Sequence, residues 1–320
     1  VTLLELSQVS KQANDLIILN KISFQQKLFQ RIVIAGETGS GKSSLLKIIA
    51  GLMQADEGEV HFKGEKVKGP ADNLVAGHPQ IAYLSQQFDL PKFLRVEQVL
   101  DYANSLSANE AASIFSVCRI DHLLQRKTDQ LSGGEKQRIA IARLLIGKPS
   151  LLLLDEPFTN LDMVLKAVLK KVIDDIGKKL RITCIMVSHD PEDTLAWADE
   201  IMVLKNGSMI QRGTPQNIYR QPVNEYVAGL FGMYNLISAA QQRTLGVKHP
   251  TGDRIVRPEE FRIRKSKTAN RFHVDEVRFY GHLYELKLTY RQLTVWVAAT
   301  QDKFKAGDRV EISLMSSRKN

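Results

Sequence analysis

The stretch GETGSGKSS, Gly36 to Ser44, matches the pattern GxxxxGK[ST] at Gly36, Gly41, Lys42 and Ser43. Its glycines, Gly39 included, let backbone N–H groups curl around a β-phosphate, and a helix beginning there adds positive potential. Lys42 can reach the β- and γ-phosphates, and the Ser43 hydroxyl can ligate Mg²⁺. With Glu37, Thr38, Ser40 and Ser44 completing the loop, the expected ligand is a nucleotide. Farther on, the run SLLLLDEPFTNLD delivers two acids, Asp155 and Glu156. Asp155 is the expected Mg²⁺ partner, and Glu156 is placed to accept a proton from an attacking water. A positioned base of this kind contributes about 10²–10⁴-fold. His189 closes RITCIMVSHD, where it can hydrogen-bond a γ-phosphate or orient the water. A second anion-seeking segment, LSGGEKQRIAIARLL from Leu131, sets a serine and two glycines at what reads as a helix start.

These residues need elements to hold them. RIVIA reads as a buried strand running through a glycine-rich turn into a helix, and the apolar runs before Asp155 and His189 read as two more buried strands. In an open α/β sheet, ligands bind beyond the carboxyl ends of the strands. All three runs would present their acids, histidine and loop at that edge.

The order of these motifs resembles the ATP-binding subunits of ABC transporters: phosphate loop, Gln86 in IAYLSQQFDL, LSGGE, LLLLDEP, TNLD, then His189. The resemblance covers about residues 3 to 235. It implies ATP and Mg²⁺ as cofactors and a head-to-tail homodimer in which each LSGGE loop closes over the partner's ATP. Ser132, Gly133, Gly134 and Glu135 would then act in trans. Asp162 would couple the two sites, and Gln86 would sense Mg²⁺ or water beside Ser43 and Asp155. A helical subdomain is expected over about 87–145, beginning around Phe88. Glu135 stands where the family commonly has glutamine, which places a carboxylate near phosphate and weakens closure. Ala13 stands where an adenine-stacking aromatic is usual, and no aromatic occurs from Val1 to Ser23. Weak, poorly base-selective nucleotide binding is therefore expected, leaning on Leu16 or Ile18. Leu28 and Phe29 occupy places the family often gives to Gly-Glu.

After Asn235 the pattern changes. HLYELKLTY alternates, with Tyr284, Leu286, Leu288 and Tyr290 on one face, and LTVWVAA alternates likewise. Turns at Gly281 and Gly307 complete the signs of a small OB-like β-barrel over 236–320. The expected fold is thus α/β, an ABC-type nucleotide-binding domain over 1–235 followed by that β domain. RGTPQNIYRQPVNEYVAGLFGMYNLI and VRPEEFRI resemble the junction and tail of importer ATPases for polyamines, ferric ion, sulfate, molybdate and sugars. The resemblance implies permease subunits, a solute-binding protein and a peripheral place on the cytoplasmic face of the cell membrane.

Bulk properties fit. The chain has 320 residues, 43% hydrophobic and 25% charged, and affords a sizeable core. Cys118 and Cys184 lack metal-ligand spacing, so neither a zinc site nor a disulfide framework is expected. VTLLELSQVSKQAND is broken by polar residues, so no secretory leader is expected. No apolar run approaches the roughly 18 residues of a membrane span. A net charge of +9 is compatible with nucleotide, anionic lipid or nucleic acid. The basic run Arg262, Arg264, Lys265, Lys267 and Arg271 reads as a solvated loop, since no aromatic interleaves it. An ABC-type ATPase acting on nucleic acid or ribosomes is the alternative class. Single copies of each motif, with no room for a long coiled coil between Ser43 and Leu131, make nucleic acid an unlikely partner.

Overall fold

The leucine run before Asp155 has no polar face to offer water, so it folds where both faces are covered. In the computed structural model, Leu151–Asp155 is a strand buried at every position, as is Thr183–Val187. Residues 1–86, 90–102, 104, 106–159, 161–266 and 272–315 are described. Phe88, Asn160 of TNLD, and Lys267 and Arg271 of the basic run lie outside them. Two compact units divide the chain, Val1–Gln216 and Asn217–Asn320.

In the first unit a six-stranded sheet runs in the order Ser208–Gly213, Glu200–Lys205, Arg31–Ala35, Thr183–Val187, Leu151–Asp155, Ile81–Leu84. All its neighbours are parallel except the antiparallel first pair. Four adjacent strands therefore point their carboxyl ends the same way, and the segments leaving them carry Gly36, His189, Glu156 and Gln86. Sequence-distant residues are brought side by side by strand order alone.

A second, antiparallel sheet is built on a long hairpin, Thr2–Ala13 with Leu16–Lys27. Its two-residue turn, Asn14 and Asp15, has φ of 48° and 61°, the left-handed pair that matches strand twist. Ala13 faces Leu16 across this tip. At the hairpin's other end Phe29 holds φ 65°, a conformation glycine adopts freely. The Phe29 N–H donates to Thr183 Oγ1 at 2.9 Å, and the Arg181 guanidinium lies 4.7 Å from its ring centre.

Between Ile81–Leu84 and Leu151–Asp155 the described residues include the α-helices Val96–Asp101, Ala108–Cys118 and Gly133–Ile146. Ser107 with Glu110, and Ser132 with Glu135, form capping boxes that satisfy the orphan N–H groups of two of these helices. Cys118 and Cys184 are buried and free.

The second unit holds a five-stranded antiparallel sheet in the order Phe261–Lys265, Arg309–Leu314, Phe272–Phe279, Tyr284–Tyr290, Leu293–Ala299. Asn235–Ile237 pairs with Arg254–Val256 in a smaller sheet. This is the small β domain the alternating segments predict, with Leu286, Leu288, Val295 and Val297 in its core. The unit begins earlier than the expected residue 236, and Arg257 shows why. This buried guanidinium donates to the carbonyls of Tyr219, Ala228, Gly232 and Met233 at 2.9–3.1 Å, so residues 219–233 belong with the β strands. The described basic residues of the run, Arg262, Arg264 and Lys265, lie on the strand Phe261–Lys265 rather than on the expected loop, with Arg264 bound to Glu311 and Lys265 to Asp308. No helix of the described residues is long and apolar enough to cross a membrane.

Candidate functional site

The phosphate loop is shaped by its glycines. Gly36, Gly39 and Gly41 have φ of 152°, 84° and 97°. A Cβ on Gly41 would lie 2.4 Å from the Ile18 carbonyl oxygen, and one on Gly36 would lie 2.3 Å from that of Leu204. The loop is thus wedged between the hairpin and the central sheet. Its helix, Lys42–Ile49, starts at once. Glu37, Thr38, Gly39 and Ser43 are exposed at its mouth, while Ser40 and Lys42 are buried and Ser44 half-buried. The Lys42 ammonium donates to the carbonyls of Gly36 and Glu37 at 2.9 and 2.7 Å. Burial lowers its pKa, and the carboxylates of Glu156, Asp155 and Glu37 partly offset this.

Ser43 Oγ donates to Asp155 Oδ1 at 3.0 Å, joining the two residues expected to face a metal. Hard oxygen donors of this kind suit Mg²⁺, which keeps phosphate and water as its other ligands. Among the described residues no group of three or more His, Cys, Asp or Glu could hold a metal alone. Asp155 Oδ2 accepts from the Tyr83 hydroxyl at 2.9 Å, and burial beside that carboxylate pushes the Tyr83 pKa up.

Glu156 turns out of the strand with φ 49°, its N–H held by the Val187 carbonyl at 3.1 Å. The turn places its carboxylate among three groups. Glu156 Oε2 accepts from Gln86 Nε2 at 3.4 Å and Thr159 Oγ1 at 3.1 Å, and lies 3.5 Å from His189 Nδ1. The three residues read from sequence as catalytic therefore meet on one oxygen. Behind His189, Lys166 is ion-paired with Asp190 and, at 2.9 Å, with Asp193. Asp193 has no exposed side-chain surface and also binds Lys170. This cluster fastens the segment after His189 to the helix Met163–Lys179. Asp162 caps that helix, its Oδ1 accepting from the N–H groups of Val164 and Leu165 at 2.9 Å.

Ser132 and Gly133 are exposed at the start of Gly133–Ile146. Glu135 reaches back to the Ser132 N–H at 2.8 Å, with Arg126 3.5 Å away. Burial opposes its ionisation, but the bonds from Ser132 and the charges of Arg126 and Arg138 prevail, and its pKa is lowered. A Cβ on Gly134 would press on Leu165 at 3.3 Å, whereas one on Gly133 would meet nothing among the described residues. Gln137, farther along, donates from Nε2 to the Pro157 carbonyl and ties this helix to the Asp155–Glu156 turn.

Tyr83, Thr159 and Gln137 are contributors that motif reading passes over. Tyr83 sits in an apolar run as a core aromatic would, and Gln137 is one polar residue on an amphipathic helix. Thr159 carried a signal, since it lies within TNLD. Ala13, Leu16 and Ile17 are exposed at the hairpin tip and Ile18 is half-buried, so the surface beside the loop is aliphatic.

A family model described as "ABC transporter" matches residues 19–159. The chain is 31% identical to the spermidine/putrescine import ATP-binding protein PotA of Clostridium acetobutylicum, over 98% of this chain and 94% of that one. It is 29% identical to the protein of the same name from Mesoplasma florum, over 97% and 95%. Among solved structures it is similar to the ADP conformation of an ABC transporter's ATP-binding cassette. The TM-score is 0.61 at 24% identity, covering 72% of this chain and 98% of that one. It also resembles a dimeric post-hydrolysis cassette bound to ADP and Pi. There the TM-score is 0.56 at 25% identity, covering 66% and 98%.

Proposed function

The chain belongs to the ABC transporter family, and on that premise we propose that it is the ATPase of an importer, working as a head-to-tail homodimer under membrane-spanning permease subunits. The observation that carries this reading is the meeting of Gln86, Thr159 and His189 on Glu156 Oε2, next to the Ser43–Asp155 pair. ATP lies in the loop Gly36–Ser44, its phosphates held by backbone N–H groups and Lys42. Ser43 and Asp155 are the residues that would hold Mg²⁺, and the ion would supply charge screening for the phosphates. Glu156 takes a proton from the attacking water, and His189 and Gln86 hold that carboxylate and the water in line.

The partner's Ser132, Gly133 and Gly134 are proposed to close over the γ-phosphate. Gly133 supports this: it has no positive φ, and a Cβ there would touch nothing among the described residues. Neither backbone conformation nor internal packing asks for glycine, whereas close approach by an outside group does. Asp162, on the exposed cap of its helix, couples the two sites. Closure drives the permease, and hydrolysis reopens the dimer at the cytoplasmic membrane face. The names of both curated relatives support a polyamine as cargo, delivered by a solute-binding protein.

Replacing Glu156 by Gln tests the core of this reading. The expected outcome is an ATP-trapped dimer on size exclusion, with hydrolysis lower by about 10²–10⁴-fold. Unchanged turnover removes Glu156 from the base role. An affinity pull-down from native membranes is expected to recover a polytopic partner; ribosomes or nucleic acid recovered without one overturn the importer assignment.

A further inference from the structure

We propose that Tyr83 is a positioning residue for the metal-side carboxylate Asp155, an inference that rests on the reading of Ser43 and Asp155 as Mg²⁺ ligands. Strand register supplies the geometry. Ile81–Leu84 runs parallel to Leu151–Asp155 with Tyr83 beside Leu153. Side chains alternate along a strand, so Leu153 and Asp155 share a face, and Tyr83 stands on that face one strand over. Two strand positions span about 6.6 Å, close to the reach of a tyrosine from Cα to hydroxyl. The ring passes Leu153 and delivers its O–H to Asp155 Oδ2 at 2.9 Å.

Asp155 is 3% exposed, so neither of its oxygens can rely on bulk water. Tyr83 occupies Oδ2 while Ser43 touches Oδ1, and this fixes which edge of the carboxylate faces the phosphate loop. Carboxylates that ligate metals are oriented by such outer hydrogen bonds. Three residues beyond Tyr83, Gln86 holds the next carboxylate, Glu156, at 3.4 Å. One short segment thus contacts both acids.

Tyr83→Phe removes the hydroxyl and keeps the ring. In the full chain, a fluorescent ATP analogue is titrated with and without Mg²⁺, Mn²⁺ binding is followed by electron paramagnetic resonance, and Asp155→Asn is measured alongside. Tyr83→Phe is expected to raise the Mg²⁺ and Mn²⁺ concentrations required by about tenfold, within the 10–100-fold range of outer-shell losses. Metal-free nucleotide affinity stays put. An unchanged metal requirement, or an equal loss with and without metal, overturns the role of Tyr83 while Asp155→Asn still abolishes the metal effect. If Asp155→Asn also leaves the metal dependence intact, the ligand reading itself falls, and the proposal with it.

Discussion

At the scale of single residues, three glycines separate fold from function. Gly41 combines φ 97° with a carbonyl 2.4 Å from where a Cβ would stand, so Gly41→Ala must shift the hairpin or the loop. A loss of about 1–3 kcal/mol, read as a lower melting temperature, is expected. Gly133→Ala, with open space and ordinary backbone, is expected to leave melting within about 0.5 kcal/mol of the parent and nucleotide binding intact, yet to suppress ATP turnover. Gly134 is intermediate, because Leu165 must yield. The same scale carries the adenine question. Ala13→Tyr adds a stacking ring at the hairpin tip, worth roughly 1–3 kcal/mol. A fluorescent ATP analogue should bind the variant at least about fivefold tighter, and equal affinities would sink the stacking argument.

Elements differ in how plainly the sequence announces them. Leu151–Asp155 and Thr183–Val187 are legible as unbroken apolar runs ending in chemistry, and the tail strands are legible by alternation. The hairpin Thr2–Ala13 with Leu16–Lys27 is not. Its register shifts at several points between Thr2 and Gln12, and Gln8 and Lys21 take positive φ, so bulges scramble the period-two pattern. Tyr83 was illegible for another reason, since only strand register reveals that its hydroxyl meets Asp155. The helical segment makes a prediction of its own. Glu110, bonded by Lys148 and then by Ser107, has its pKa pushed down to about 2, and that of Glu135 is lowered as well. A depressed folded pKa gives stability that is present above the ordinary carboxylate value and lost as pH falls through the folded one. The Glu110 cap is therefore expected to weaken between about pH 4.5 and 2, and the Glu135 cap to weaken as pH falls below the ordinary carboxylate range. Urea midpoints by circular dichroism should show a smaller acid-side slope in Glu110→Gln combined with Glu135→Gln than in the parent.

For the molecule as a whole, the two-unit plan is legible in the change of pattern after Asn235, but the position of the border is not. Nothing local in NIYRQPVNEYVAGLFGM says that its carbonyls await a guanidinium far downstream. Arg257 donates to four of them, and it lies over the Tyr219 ring at 4.2 Å. Arg257→Leu, which strands those acceptors, is expected to destabilise the unit from Asn217 onward by several kcal/mol, on the order of 2–5. Differential scanning calorimetry should show one transition lowered. The ATPase unit's own transition should hold. The arginine also acts as a stitch across the place where a cut looks natural. A chain ended after Asn235 keeps the stitched cloth and loses the thread, leaving the carbonyls of Tyr219, Ala228, Gly232 and Met233 without their donor. Proteases should trim such a fragment back towards Gln216, while the chain ended there stays whole.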